Sequence, residues 1–67
     1  MKNDMNWICE DPTEIGWYVI LRCFDPQEGV FFDTDYWDGY RFYGKGVSCY
    51  VEPPFPTQEK ATESLDS

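Results

Sequence analysis

The densest group of side chains able to do chemistry is Asp33, Asp35 and Asp38, followed at once by Gly39. Carboxylates at this spacing suggest calcium binding or acid–base hydrolysis. An EF-hand loop needs oxygen ligands at its first, third and fifth positions, glycine at the sixth and glutamate at the twelfth. Counted from Asp33, tryptophan stands fifth, aspartate sixth and glycine twelfth, so no calcium loop is expected. Glycoside hydrolysis needs two carboxylates ~5–9 Å apart across a substrate, in a cleft enclosed enough to perturb them and exclude water. One small sheet offers no such cleft. The chain has no histidine to serve as a base, and no serine or cysteine stands in a nucleophile motif. A non-enzyme is expected. Cys9, Cys23 and Cys49 are odd in number, widely spaced and without a Cys-x-x-Cys pair. Zinc would need a carboxylate ligand or a second chain. The cysteines therefore read as small buried hydrophobes in a reducing compartment, with no metal and no cofactor.

The other chemistry-bearing side chains are aromatic, 19% of 67 residues. Tryptophan and tyrosine stack on bases or on sugars. Base stacking comes with a basic groove that neutralises phosphates, whereas this chain carries 13 acidic and 5 basic residues for a net charge of -8. Direct nucleic-acid binding is excluded on that ground, and a sugar-binding β module stays as an alternative. With 42% apolar residues the chain is too hydrophobic for wholesale disorder, and at this length it forms a single domain. No apolar run approaches the ~18 residues of a membrane span. Met1-Lys2-Asn3-Asp4 lacks the order of a secretory leader, which points to the cytoplasm.

The elements that must position these residues are strands. Trp7-Ile8-Cys9 is a short apolar run, and Glu10-Asp11-Pro12-Thr13 is turn-prone. Gly16 to Phe24 is the strongest strand signal, rich in β-branched and aromatic residues and free of strand breakers. Trp17, Val19, Leu21 and Cys23 fall on one face, and Tyr18, Ile20, Arg22 and Phe24 on the other. Two mostly apolar faces mark a central strand. Asp25-Pro26-Gln27-Glu28-Gly29 is a turn. Asp38-Gly39 between aromatic segments predicts a two-residue type I′ hairpin, which would set Trp37 opposite Tyr40 and Tyr36 opposite Arg41. After the tight connection Gly44-Lys45-Gly46, residues 47–51 form a last strand. Pro53, Pro54 and Pro56 are expected to end the sheet, with Phe55 folded back onto it; docking of this stretch as a polyproline segment is the alternative. The expected fold is all-β, a small twisted antiparallel meander of three to four strands, flat or curled toward a barrel. Residues 1–6 read as a flexible start, 7–56 as the β domain and 57–67 as a polar, disordered tail. Such a small core is marginal, so a partner, a second copy included, would cover aromatics that one layer cannot enclose.

Between Glu10 and Asp38 eight carboxylates are opposed by Arg22 alone, and they fall in turns and at strand ends. Such a rim is either a solubilising surface or a negative field that attracts cationic partners. In the second case carboxylates stand where phosphates would, as a decoy in the basic groove of a nucleic-acid-binding protein. The expected contact residues are Glu14, Asp25, Glu28, Asp33, Asp35 and Asp38 for charge, with Tyr36, Trp37 and Tyr40 for aromatic contacts. The competing reading is an assembly module with a hydrophobic sheet face, in which charge is only solubilising.

Trp7-Ile8, Pro12, Gly16-Trp17-Tyr18-Val19, Tyr36-Trp37-Asp38-Gly39, Phe42 and Pro53-Pro54 follow one another in an order that resembles a group of small phage and prophage proteins. The resemblance covers residues 7–56. The group carries no established activity, so it assigns no catalytic residue. It implies a cytosolic protein of a mobile element, a setting shared with anti-CRISPR and anti-restriction inhibitors of host defence complexes.

Overall fold

The computed structural model describes residues 6–66. Residues 1–5 of the expected flexible start, and Ser67, lie outside the described residues. Three strands, β1 (Gly16–Arg22), β2 (Phe31–Trp37) and β3 (Val47–Phe55), precede one helix, α1 (Gln58–Asp66). The sheet order is β2-β1-β3, with β1 antiparallel to both neighbours. The antiparallel all-β sheet with residues 16–22 at its centre is thus present, and it stays open rather than closing into a barrel. Among the described residues, no helix is long and apolar enough to cross a membrane.

β1 is central because both of its faces are apolar. Tyr18 and Ile20 are fully buried on one face, beside Trp37 of β2 and Tyr50 of β3. The rings meet edge to face, Tyr18 on Tyr50 at 5.0 Å and Trp37 on Phe42 at 5.0 Å, which is the arrangement that aromatic quadrupoles favour. Ile8, Phe42 and Val47 close over this cluster. Val19 alternates to the opposite face and is equally buried. α1 packs against all three strands and buries Ala61 completely.

Four expectations change. The Asp38-Gly39 turn exists, and Gly39 takes a positive φ of 104°, but it is wider than a two-residue hairpin. Trp37 pairs with Phe42 and the Tyr43 amide donates to the Tyr36 carbonyl, so Tyr40 and Arg41 sit in the turn. The cause is Asp38 itself. Its Oδ1 accepts from the amides of Tyr40 and Arg41 at 2.8 and 2.9 Å, a local bond that competes with ladder pairing.

The prolines do not end the sheet. β3 runs through Pro53 and Pro54 to Phe55, because a bulge sets Trp17 opposite Phe55 while Val19 stays opposite Val51. Within a bulge, a residue without an N–H removes no ladder bond.

The tail is helical rather than disordered. The Thr57 hydroxyl accepts from the Lys60 amide at 3.2 Å and its carbonyl from Ala61, an N-cap that a purely compositional reading passes over. Glu59 sits in the first turn, where the helix dipole favours a negative charge.

Finally, Cys9 and Cys49 form a disulfide, leaving Cys23 as the free thiol. Ile8 exchanges both backbone hydrogen bonds with Tyr50, so the adjacent pair, Cys9 and Cys49, stands side by side with Cα atoms 4.3 Å apart. Three cysteines in a widely spaced set did not foretell this, since the pairing depends on a strand contact between residues 40 apart. The bond corrects the reading of Cys9 and Cys49 as free hydrophobes.

Two outcomes follow from this packing. Closing a loop of 40 residues removes unfolded-state entropy worth about 4 kcal/mol. Cys9→Ser, or reduction with a dithiol, should therefore lower stability in urea by up to about that amount, while Cys23→Ser leaves it nearly unchanged. The second concerns pH. Burial raises the Tyr18 phenol above its ordinary value, with Tyr50, Glu14 and Glu52 adding to it. Tyr50 is raised likewise by burial, then by Glu52, Glu10 and Asp11. The folded chain keeps protons that the unfolded chain gives up near pH ~10, so this stability is whole below that pH and is lost as pH rises through the folded values. Replacing both tyrosines by phenylalanine should flatten the alkaline fall in denaturation midpoint.

Candidate functional site

The aspartates that dominate the sequence do structural work. Arg22 ends β1 with its side chain buried among them. Its Nε donates to Asp33 Oδ2 at 3.0 Å and its Nη2 to Asp35 Oδ2 at 3.3 Å. Its Nη1 donates to the Lys45 carbonyl. Asp35 Oδ2 also accepts from the Gly44 amide at 2.9 Å. Arg22 is 7% and Asp35 6% exposed. Among the described residues no buried side-chain polar atom lacks a partner, as a buried charge cluster requires.

The remaining oxygens of the two aspartates seal β2, an edge strand. Asp33 Oδ1 accepts from the Thr34 amide at 2.8 Å, and Asp35 Oδ1 from the Tyr36 amide at 2.7 Å. Donors that would otherwise recruit another strand are already engaged. Asp33 and Asp35 thereby guard this edge against further pairing.

Of the other expected contact residues, Trp37 is in the core at 5% exposure and cannot meet a partner. Tyr40 is 89% exposed. Asp25 and Asp38 are tied to turns: Asp25 Oδ1 accepts from the Gln27 amide at 2.9 Å, and Asp38 caps its own loop. The Arg41 amide, and after it the Tyr40 amide, hold the Asp38 carboxyl below its usual range, with the Arg41 charge a lesser cause. Glu14 and Glu28 are exposed and take part in no ion pair among the described residues. The nine residues therefore do not converge on one site.

Two surfaces do gather exposed aromatic groups. At the β1–β2 hairpin end, Phe24, Val30, Phe31 and Phe32 are all about half exposed or more. Phe24 packs on Phe31 at 6.2 Å, and Trp7 stacks on Phe32 at 5.9 Å. Asp25 and Glu28 lie in the turn that joins the two strands.

At the other end of β1, Ile15, Gly16, Tyr36, Pro54, Phe55 and Pro56 line a groove of about 360 Å³. Gly16 is required there, since a Cβ would stand 2.7 Å from the Pro54 Cβ. Tyr36 packs on Trp17 at 5.3 Å and on Tyr43 at 5.1 Å, with the rings tilted by 59° and 55°. Sequence reasoning passed over Phe24, Phe31 and Phe32 because unbroken aromatic runs look like core. It passed over the groove because Gly16 and Pro54 meet only through the bulge. Among the described residues, no group of three or more histidine, cysteine or carboxylate side chains could hold a metal ion.

The Arg22 cluster gives a measurable consequence. Asp35→Ala leaves a buried guanidinium short of a partner and should lower stability by about 3–5 kcal/mol, read as a shift of urea midpoint. Asp25→Ala, at an exposed turn, should lower it by no more than about 1 kcal/mol. Equal losses in the two variants would show that the cluster is not a main support of the fold.

Comparison of the chain with family models, with curated proteins and with solved structures yields no match.

Proposed function

We propose that the chain is a non-enzymatic protein-binding module that engages a cationic partner through the aromatic hairpin end. The observation that carries this reading is the exposure of Phe24, Phe31 and Phe32 on a chain of net charge -8. Exposed rings are what an interface needs for hot-spot contacts, and alternation along β2 sets Phe31 with Phe24 on one face of this end and Phe32 with Trp7 on the other. A strongly negative field speeds encounter with a basic surface and repels nucleic acid. The partner class that fits is a protein with a basic, nucleic-acid-binding surface. An acidic phage-type inhibitor of a host defence complex, similar to anti-CRISPR proteins and acting in the cytoplasm, belongs to this class.

The DNA-mimic form of the reading has to be rebuilt on different carboxylates. Asp33 and Asp35 are engaged by Arg22, so reversing their charge would unfold the chain before it tested binding. Glu10, Asp11, Glu14, Glu28 and Glu52 are exposed and enter no ion pair among the described residues. The assembly-module reading uses the same rings and makes charge passive.

Pull-down from host lysate at about 0.05 and 0.5 M salt, with and without nuclease, separates the two. The inhibitor reading expects a protein gained after nuclease treatment, lost at high salt, and weakened at least ~10-fold by Phe31→Ser with Phe32→Ser. Retention that is indifferent to salt and nuclease would favour the assembly module. Retention unchanged in the double serine variant would overturn both.

A further inference from the structure

We propose that residues 6–11 form a redox-released strap: reduction of the Cys9–Cys49 bond, entered at Cys9, frees them from β3 while the sheet beneath stays folded. This device does not rest on the partner-binding reading of the hairpin aromatics.

Apart from the disulfide, little fastens this segment. It meets the sheet at an isolated bridge, where Ile8 and Tyr50 exchange backbone hydrogen bonds of 2.8 and 2.9 Å. Pairing without a continuing ladder is marginal in water. The Tyr50 hydroxyl adds a long bond to the Asp11 carbonyl at 3.4 Å. Trp7 stacks on Phe32, and Ile8 packs on the core cluster while only half-buried itself. Just beyond, the chain is anchored. Pro12 is buried, and the Tyr18 hydroxyl donates to the Glu14 carbonyl at 2.6 Å. Residues 12–14 are therefore the base on which the strap turns.

Charge works against closure. Glu10 and Asp11 on the strap and Glu52 on β3 are exposed and enter no ion pair among the described residues. All three lie near enough to one phenol to add to the rise that burial gives Tyr50. Like charges gathered at one edge repel across the seam, on a chain whose net charge is -8. The covalent bond holds the strap against this repulsion.

The bond is also asymmetric, and this sets how it opens. Cys9 is exposed whereas Cys49 is buried, so a thiolate from solvent meets Cys9 Sγ first. Ser48 Oγ lies 3.7 Å from Cys49 Sγ, and since a disulfide sulfur carries no proton, the hydroxyl donates. A small thiol such as glutathione, as its thiolate, forms a bond to Cys9 Sγ. The electron pair of the Cys9–Cys49 bond leaves on Cys49 Sγ, where the Ser48 hydroxyl stabilises the thiolate. A second reductant thiolate attacks the reductant sulfur of the mixed disulfide and releases Cys9. Two thiols thus give two electrons to one protein disulfide, and their protons pass through water to Cys9 and Cys49. Release strips the Tyr50 amide and carbonyl of their partners on the outer edge of β3 and takes Trp7 off Phe32. Exchange with the oxidised reductant runs these steps backwards, so redox state sets whether this edge is open to pairing.

The test uses the full chain carrying Cys23→Ser, so that only the two bonded cysteines react. Trypsin separates them, because cleavage after Lys2, Arg22, Lys45 and Lys60 puts Cys9 in residues 3–22 and Cys49 in residues 46–60. After brief exposure to glutathione, acid quench and alkylation, mass spectrometry should find glutathione on Cys9 and the alkyl group on Cys49. Ser48→Ala should slow bond opening severalfold. In the fully reduced chain, hydrogen exchange followed by NMR should show the Ile8 and Tyr50 amides exchanging at close to the rate of unstructured chain. Amides of β1 and β2 should stay protected by at least ~100-fold. Salt at about 0.5 M, or Glu10→Gln with Asp11→Asn, should restore part of the protection at Ile8. Glutathione found first on Cys49, an unaltered rate in Ser48→Ala, protection kept at Ile8 and Tyr50, or protection lost throughout the chain would each overturn the proposal.

Discussion

Arg22 holds the molecule together. A sheet of three strands has little interior, yet this one encloses a guanidinium that reaches β2 through Asp33 and Asp35 and the following connection through the Lys45 carbonyl. The Gly44 amide completes the ring of contacts on Asp35. The path from β2 to β3 must cross to the other side of β1, and these bonds fasten that crossing. A hydrophobic replacement for Arg22 could fill the volume, but it would leave the buried Asp35 carboxylate short of a donor. Specificity is the gain. An apolar contact tolerates sliding, whereas a guanidinium with three assigned acceptors fixes one register between β1 and β2.

Size sets the second constraint. One face of the sheet is covered by loop residues and the N-terminal segment, and α1 packs across the strands with only Ala61 fully buried. With so thin a cover, single links matter. The Cys9–Cys49 bond holds Ile8 over the Tyr18–Tyr50 pair, and the Tyr18 hydroxyl reaches back to the Glu14 carbonyl at 2.6 Å. Both fasten residues 6–15, which have no strand of their own, to the sheet. Small domains commonly replace missing core with such staples.

The parts of the fold legible in the sequence are those set by local pattern. A segment rich in β-branched and aromatic residues, apolar on both faces from Gly16 to Arg22 apart from Arg22, required a central strand, and Asp25-Pro26 with Gly29 required a turn. What stayed hidden depended on partners far away in sequence. Asp33 and Asp35 read as surface charge because nothing local says that Arg22 lies across from them, although alternation does place Arg22 on the face of Tyr18 and Ile20. Trp37 looked like a contact residue because it adjoins a turn; its pairing with Phe42 takes it inside. The helix at Gln58–Asp66 had a cap in Thr57 but too few apolar residues to announce it. The groove was less legible still, since it is assembled by the bulge at Pro53-Pro54.

The acidic residues divide by side-chain length, and this bears on which of them can act on another molecule. Asp25, Asp33, Asp35 and Asp38 each bind a backbone amide one to three residues further along the chain. A carboxylate on a single methylene reaches its own backbone at low entropic cost, which is why aspartate is favoured in turns. Glutamate, one methylene longer, makes that closure poorly. Glu10, Glu14, Glu28, Glu52, Glu59 and Glu63 are all exposed, and the ion pairs among the described residues belong to Arg22 alone. The outward field is therefore set mainly by glutamates, while the aspartates between 25 and 38 spend much of their hydrogen-bonding capacity on the fold. A run of negative charge in the sequence thus corresponds to two populations in space. Among the described residues, the carboxylates left to meet a cation are the glutamates together with Asp11.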